Sequence, residues 1–435
     1  THTHSGPDTV GMWGPDPRTS GISQKYLERL LSVVTACVEE SVKALAPARL
    51  KVATGAAPGL SRNDRFRDIL EAIGINDYAS RNIPADTEIL DPDFAVMQVL
   101  GADGSVMATV VNWACHPEMA HTNAITADFP HWLRERLELE YGGVGIYFQG
   151  AQGGMVTGNE LPGEDIGASE RIGLALGDRV VEALTKAQEI EGTPILADTK
   201  TLKLTMENEG FKAAIATGVL PAVSLENGQI ETEVTHLTMG PVEFVTIPGE
   251  ALPNIGLMLK RHMRGDPKFV LGLCDDELGY ILAQEDWGLS FYEYETSMSV
   301  GSTVGRVVGD TLVGMIRQAV PAAVAVGGVA EQVKAFFAGL PANFKPEQAE
   351  GVDAIYQVNL TGEGGGQWNI TVRDKQCTVN EGVAETPSMT IEADAADWLK
   401  IVSGEMNPTA AVLQGKLKLQ PFDLALGTKF AELFF

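Results

Sequence analysis

Apolar runs of strand length in this chain end, one after another, in side chains able to bind a metal. Val106-Met107-Ala108-Thr109-Val110-Val111-Asn112-Trp113 leads to His116, Phe244-Val245-Thr246-Ile247 leads to Glu250, and Phe269-Val270-Leu271-Gly272-Leu273 leads to the Asp275–Tyr280 loop. Such a chain is constrained to gather its strand ends, because open α/β sheets build their sites at the carboxyl ends of strands. A further segment, His2-Thr3-His4, opens the sequence. Two imidazoles and a carboxylate, with water in an open position, make a catalytic rather than a structural zinc site. Taken singly, a histidine beside Pro117 is more often structural than a ligand, and His-Thr-His arises by chance. The residues alone therefore leave both readings open.

Helical periodicity fills the gaps between the runs. In Lys25–Leu45, Leu27, Leu30, Leu31, Val34, Val38 and Val42 recur at three- and four-residue spacing. Phe129–Leu139, Arg171–Ala187 and Ser302–Val320 read the same way. Strands alternating with helices predict an α/β sheet. The small apolar stretch Pro321–Gly328 breaks the pattern and marks a linker at 321–329. It separates a domain at 1–320 from one at 330–435. The second has a short helix at Ala330–Leu340, strands at Ala354–Leu360, Gln367–Val372 and Ser388–Glu392, and helices at Ala395–Ser403 and Phe422–Phe435. The fold class expected is α/β, followed by a small α+β domain.

Charge excludes some partners. A net charge of −26 argues against nucleic acid, whose phosphates need clustered Lys and Arg. It also argues against electrostatic docking on anionic lipid surfaces. No apolar stretch is long enough for a membrane-spanning helix. Cys37, Cys115, Cys274 and Cys377 form no Cys-x-x-Cys pair. Cys37 falls on the apolar helical face and is expected to be a buried small hydrophobe. A catalytic Cys115 would need an activating base.

The motifs together resemble a known family. Thr1-His2-Thr3-His4-Ser5-Gly6-Pro7, Asn112-Trp113-Ala114-Cys115-His116-Pro117, Ile247-Pro248-Gly249-Glu250, and Gly279-Tyr280 with the acidic and aromatic stretch through Tyr292 and Tyr294 resemble, in order, four segments of the neutral (non-lysosomal) ceramidases. The resemblance spans roughly residues 1–320. It implies a zinc hydrolase with the metal (Zn2+) on His2, His116, Glu250 and Tyr280. It gives His4 acid–base work or oxyanion support, and Tyr292, or Tyr294 in its place, a hydrogen bond to the oxyanion. Arg65 is the candidate site arginine, with Arg62 as the alternative. One position departs from the family: Gly154 stands where an acidic residue is expected. The family also places a strand ahead of the first motif. The resemblance thus implies that the natural N-terminus and any signal region lie upstream of Thr1, with a secreted or periplasmic location expected. A processed N-terminal nucleophile at Thr1 is the rival reading of that end.

The tail resembles a sterol carrier protein type two domain. Phe344-Lys345-Pro346-Glu347, Trp368-Asn369-Ile370-Thr371-Val372, Ala396-Asp397-Trp398-Leu399 with Gly404, and Gly415-Lys416-Leu417-Lys418-Leu419 carry the likeness; Gln420-Pro421 departs from it. It implies an apolar tunnel for a fatty acid or sterol; a domain with a filled core is the alternative. The function expected is zinc-dependent hydrolysis of the amide bond of ceramide or another N-acyl lipid. A non-catalytic lipid carrier with a degenerate hydrolase domain and a zinc esterase are the alternatives.

Overall fold

The computed structural model describes residues 2–72, 74, 89–120, 122–157, 165–190, 195–318, 329–402, 411–412, 415–421 and 423–434. Thr1, the linker segment 321–328, Gly404, Leu413, Phe422 and Phe435 lie outside the described residues. Two compact units are present, one comprising Thr1–Glu191, Leu196–Thr238 and Val242–Val313, the other built on Gly314–Phe435.

The first unit begins with α1 (Gln24–Lys43), β1 (Ala48–Ala56), β2 (Ser61–Asn63), α2 (Phe66–Ala72), β3 (Asp93–Gly101) and β4 (Val106–Trp113). It continues through α3 (Phe129–Tyr141), β5 (Val144–Gln149), β6 (Met155–Thr157), α4 (Ile166–Leu184) and β7 (Gln188–Ile190). Then follow β8 (Ile195–Thr205), α5 (Glu209–Ala216), β9 (Gln229–Met239), β10 (Val242–Ile247), β11 (Glu250–Ala251) and α6 (Pro253–His262). β12 (Lys268–Gly272), β13 (Tyr280–Ile281), α7 (Glu293–Ser297) and α8 (Val304–Gln318) close it.

Two sheets organise this unit, in the orders β5-β4-β3-β1-β7 and β12-β10-β9-β8. Each contains one parallel pair that points at the site. β4 and β5 run together to Trp113 opposite Gln149, and β10 and β12 run together to Ile247 opposite Gly272. The core between the first sheet and α3 and α4 holds Val96, Val111, Phe129, Leu133, Ile172 and Leu176. Trp113 and Tyr147 meet Phe129 edge-on at 5.6 and 5.5 Å, a favoured geometry for aromatic pairs. α4 starts five residues earlier than its periodicity suggests, because the Asp165 side chain caps it by accepting from the Ala168 N–H.

Asn112 joins the sheets. Its buried amide donates to the carbonyl of Val270 on β12 at 2.9 Å and accepts from the Val270 N–H at 2.9 Å. Asn112→Ala strips partners from two buried backbone groups, each costing ~1–3 kcal/mol when left unpaired. The unfolding free energy should fall by roughly 2–4 kcal/mol, measurable by urea denaturation; a loss under about 1 kcal/mol would show that the sheets are held together otherwise.

α1 departs from expectation. None of its residues is buried, and Cys37 is exposed rather than a buried hydrophobe. Among the described residues α3 and α4 pack on the β5-to-β7 sheet, and the apolar stripe of α1 is exposed.

The second unit contains α9 (Val329–Asn343), β14 (Ala354–Thr361), β15 (Gly366–Arg373), β16 (Gln376–Glu381), β17 (Met389–Asp394), α10 (Ala395–Val402), β18 (Leu417–Gln420) and α11 (Leu424–Phe434). Its sheet has the order β16-β15-β14-β17-β18, antiparallel except for the parallel β14–β17 pair. Phe337 stacks on Trp368 at 4.2 Å and 7°. Tyr356, Val358, Ile370, Trp398 and Leu433 complete a continuous core with them.

Candidate metal centre

The His-Thr-His segment is seated by its neighbours. The Thr3 hydroxyl donates to the Thr126 carbonyl at 2.7 Å, and the His4 N–H donates to the Pro117 carbonyl at 3.3 Å. His2 adopts a left-handed backbone, φ 62°, which costs a non-glycine residue ~1–3 kcal/mol and is typical of functional segments. With Thr3 bound to the loop, the rings of His2 and His4 meet edge-on at 5.1 Å, and both meet His116, at 5.0 and 5.6 Å.

His116 follows β4 and is buried. Its Nδ1 lies 2.9 Å from the Gln152 carbonyl, and its Nε2 lies 2.9 Å from Glu250 Oε2. A carbonyl only accepts, so Nδ1 carries the hydrogen and the ring is oriented with Nε2 facing the site, the arrangement that metal-ligating histidines use. Glu250 Oε2 also lies 3.3 Å from His2 Nε2. Burial alone would raise the Glu250 carboxyl; the hydrogen bond to His116 and the nearby His2 imidazole more than offset it and hold it well below the usual carboxylate range. Burial works to lower His116, and the Glu250 partner raises it overall.

Glu250 is placed by a sharp turn. The Gly249 φ is 156°, and a Cβ there would sit 2.5 Å from the Gly279 carbonyl, so glycine is required. The turn lets β11 pair with β13 in parallel, setting Glu250 opposite Tyr280. The Tyr280 phenol is raised far above its ordinary value by burial and then by the Glu250 charge. A bound cation would reverse that second effect.

The sequence-expected residues fall into two groups. His2, His4, His116 and Glu250 come together, with Tyr280 on the strand beside Glu250. The nitrogens of the three histidines lie within 4.8 Å of one another, so His4 is as close to the centre as the expected ligands. The tyrosines divide. Tyr292 is buried with Leu252 and Leu282 and meets Phe291 edge-on at 4.8 Å; burial first, then Asp286 and Glu295, push its phenol up to about 12. Tyr294 is 53% exposed, meets the Tyr280 ring at 5.8 Å, and feels the Glu250 charge. Tyr294, the alternative to Tyr292, has a ring contact with Tyr280, while Tyr280 also packs against the cluster that holds Tyr292.

Arg65 borders the same edge. Its Nε donates to the buried Glu295 carboxylate at 2.7 Å, and with Asp68, Phe291 and Tyr294 it lines a groove of about 640 Å³. Arg62 instead pairs with Asp64 at 3.0 Å. Gly154 is left-handed, φ 70°, a conformation that strains any other residue, and a Cβ there would touch Leu252 at 3.7 Å.

Two carboxylates that sequence reasoning passed over lie nearby. Glu118 Oε2 is 3.6 Å from His4 Nδ1; its position two residues after His116 was the available signal. Glu277, within the Asp275–Tyr280 run, is pushed up to about 8, first by burial and then by the Glu250 charge. A carboxyl raised in the folded state adds stability below its unfolded value of 4.5, and that stability is lost as pH rises through about 8. Metal-stripped protein should therefore lose urea resistance between about pH 5 and pH 8, and Glu277→Gln should flatten the trend. Equal slopes for both proteins would remove Glu277 from the account.

The donor set fits a divalent cation of nitrogen and oxygen preference. His2 Nε2 is buried without a hydrogen-bond partner and faces the Glu250 oxygen, and two or three imidazoles with a carboxylate are zinc-type ligands.

Comparison with known proteins bears on the fold of both parts of the chain. Residues 334–435 match the SCP-2 sterol transfer family. The chain is similar in structure to neutral ceramidase from Pseudomonas aeruginosa, with a TM-score of 0.56 and 16% identity over 72% of this chain and 59% of that one. A ceramidase complexed with C2 gives the same TM-score and identity over 72% of this chain and 60% of that one. Hydroxysteroid dehydrogenase-like protein 2 from Xenopus laevis is 29% identical over 98 residues, 22% of this chain and 23% of that protein. Its Rattus norvegicus counterpart is 32% identical over 88 residues, 20% of this chain and 17% of that protein. The chain thus spans less than a quarter of these curated relatives and under two thirds of the ceramidases. It combines a neutral-ceramidase fold with a C-terminal SCP-2 domain.

Proposed function

We propose that the protein is a zinc-dependent hydrolase that cleaves the amide bond of ceramide or another N-acyl lipid, served by its own lipid-binding domain. The convergence of His2 and His116 on one oxygen of Glu250 carries the reading. His2, His116, Glu250 and Tyr280 are the residues that would hold the metal. Bound there, zinc would supply a polarised acyl carbonyl and a water that ionises near pH ~7.

The chain's own groups have separate tasks. The Gln152 carbonyl fixes the His116 ring through Nδ1. His4 takes up the proton released on attack and returns it to the departing amine. Glu118, 3.6 Å from His4 Nδ1, stabilises the imidazolium that results. Tyr294, at the exposed edge, donates to the developing oxyanion. Arg65, held by Glu295, orients the polar head of the lipid. The SCP-2 domain keeps acyl chains near the hydrolase and raises their local concentration.

The deciding assay offers the full-length protein ceramide, other N-acyl lipids and acyl esters, with and without added zinc. Fatty acid release from amides, abolished by a chelator and restored by zinc, is expected. Turnover of esters alone would transfer the activity to ester bonds. No turnover of either would leave lipid carriage as the function.

A further inference from the structure

The loop between β4 and α3 seats the His-Thr-His segment through hydrogen bonds at both of its ends. Near its start, the His4 N–H donates to the Pro117 carbonyl at 3.3 Å, and the Ser5 hydroxyl donates to the Ala120 carbonyl at 2.9 Å. Near its close, the Thr126 N–H donates to the Ser5 carbonyl at 3.1 Å, and the Thr3 hydroxyl donates to the Thr126 carbonyl at 2.7 Å. The same loop supplies Glu118 to His4. The placement of both imidazoles therefore depends on where Ala120 and Thr126 are held.

One side chain reaches both residues. Asp128, buried at the start of α3, accepts from the Phe129 N–H with one carboxylate oxygen and from the Ala120 N–H with the other, at 2.7 Å. Its own N–H donates to the Thr126 hydroxyl at 3.1 Å. Capping a helix uses only the first of these bonds. The other two tie the loop to α3, whose Phe129, Leu133 and Leu137 are set in the core. The backbone gives an independent sign. Helix caps normally have extended dihedrals, whereas Asp128 stands at φ 58° and ψ −155°, a region almost confined to glycine. Such strain persists where surrounding contacts over-determine it, and it clusters at functional sites.

We infer that Asp128 is a positioning residue for the metal centre. By fastening Ala120 and Thr126 to α3, it sets His2 and His4 against His116 and Glu250. The inference rests on the reading of those four residues as a metal site. A carboxylate suits the task because its two oxygens accept from two N–H groups at once, whereas an amide or a hydroxyl has one acceptor oxygen to offer. Groups that orient ligands without touching the ion typically contribute roughly 10- to 100-fold in metal affinity.

Asp128→Gly in the full chain is the test. Glycine takes this backbone without strain and is a tolerated helix cap, so the variant should keep the far-UV circular dichroism of the parent while losing both oxygens. Hydrogen exchange of the metal-free proteins, read by mass spectrometry, should speed up at least ~10-fold in residues 2–7 and stay unchanged in the middle of α3 and in α4. Competition with a chromophoric chelator should show zinc bound roughly 10- to 100-fold more weakly. If the glycine variant does not fold, Asp128→Asn, which keeps the shape with one acceptor oxygen, takes the same measurements. Unchanged exchange in residues 2–7 overturns the inference. Exchange that speeds up equally in α3 and α4 also overturns it, since Asp128 would then support the fold at large. Zinc bound as tightly by the variant as by the parent overturns it too. A parent that binds no zinc, with residues 2–7 still loosened in the variant, would remove the metal reading and uphold Asp128 as the anchor of the segment.

Discussion

Glu250→Gln should abolish metal and turnover together: about one zinc per chain in the parent, none in the variant, and a fall in kcat/KM of at least ~10³-fold, worth about 4 kcal/mol of transition-state stabilisation. The size follows from the position of the carboxylate. Its Oε2 is shared by His116 at 2.9 Å and His2 at 3.3 Å, so it is the atom on which two segments more than a hundred residues apart converge. Glutamine keeps the volume and removes the charge that draws both rings and any cation. Atomic emission on the purified variant reads the metal, and fatty acid release reads the activity. A variant that kept its zinc but lost turnover would make Glu250 a reacting group rather than a ligand. One that kept both would end the metal-centre account.

Removing the tail from Val329 onward should act on substrate delivery and spare the chemistry. The second unit has its own core, with Phe337, Tyr356, Trp368 and Trp398 buried within it, and the first unit has another beneath α3 and α4. With the tail gone, kcat/KM for a dispersed long-chain amide should drop roughly 10- to 100-fold, the scale of a lost effective concentration. A short soluble amide should change less than about threefold. Because kcat at saturation would be retained, the loss should appear in KM. Equal losses on both substrates would mean that the tail supports the fold of the hydrolase. Equal retention would mean that the SCP-2 domain serves some other cargo.

Much of the fold was legible because it rests on local periodicity. β4 is read with its bounds unchanged, and β10, β12, α3 and α8 to within two residues. Candidate ligands His116 and Glu250 were legible because each stands within a few residues of the end of an apolar run, whereas His2, His4 and Tyr280 rested on the resemblance. What escaped depended on distance in space. Glu118 and Glu277 acquire a role only when loops from separate strands fold over Glu250. Tyr292 and Tyr294 stand two residues apart in the sequence, and their different burial depends on what packs around each. α1 was readable as a helix, but burial is a property of what lies opposite, and an apolar stripe reads the same along the chain whether a sheet or a second protein faces it.

The two sheets that Asn112 fastens together also divide two of the proposed metal ligands between them: His116 follows β4 in one sheet, and Glu250 follows β10 in the other. A cation held by both is a cross-brace that exists only in the folded chain. By mass action it stabilises that chain by RT ln(1 + [L]/Kd), about 4 kcal/mol at a thousandfold excess over Kd. On the proposed zinc reading, the melting temperature of this protein would become a readout of zinc supply, and a chain short of zinc would be easier to unfold and easier to degrade.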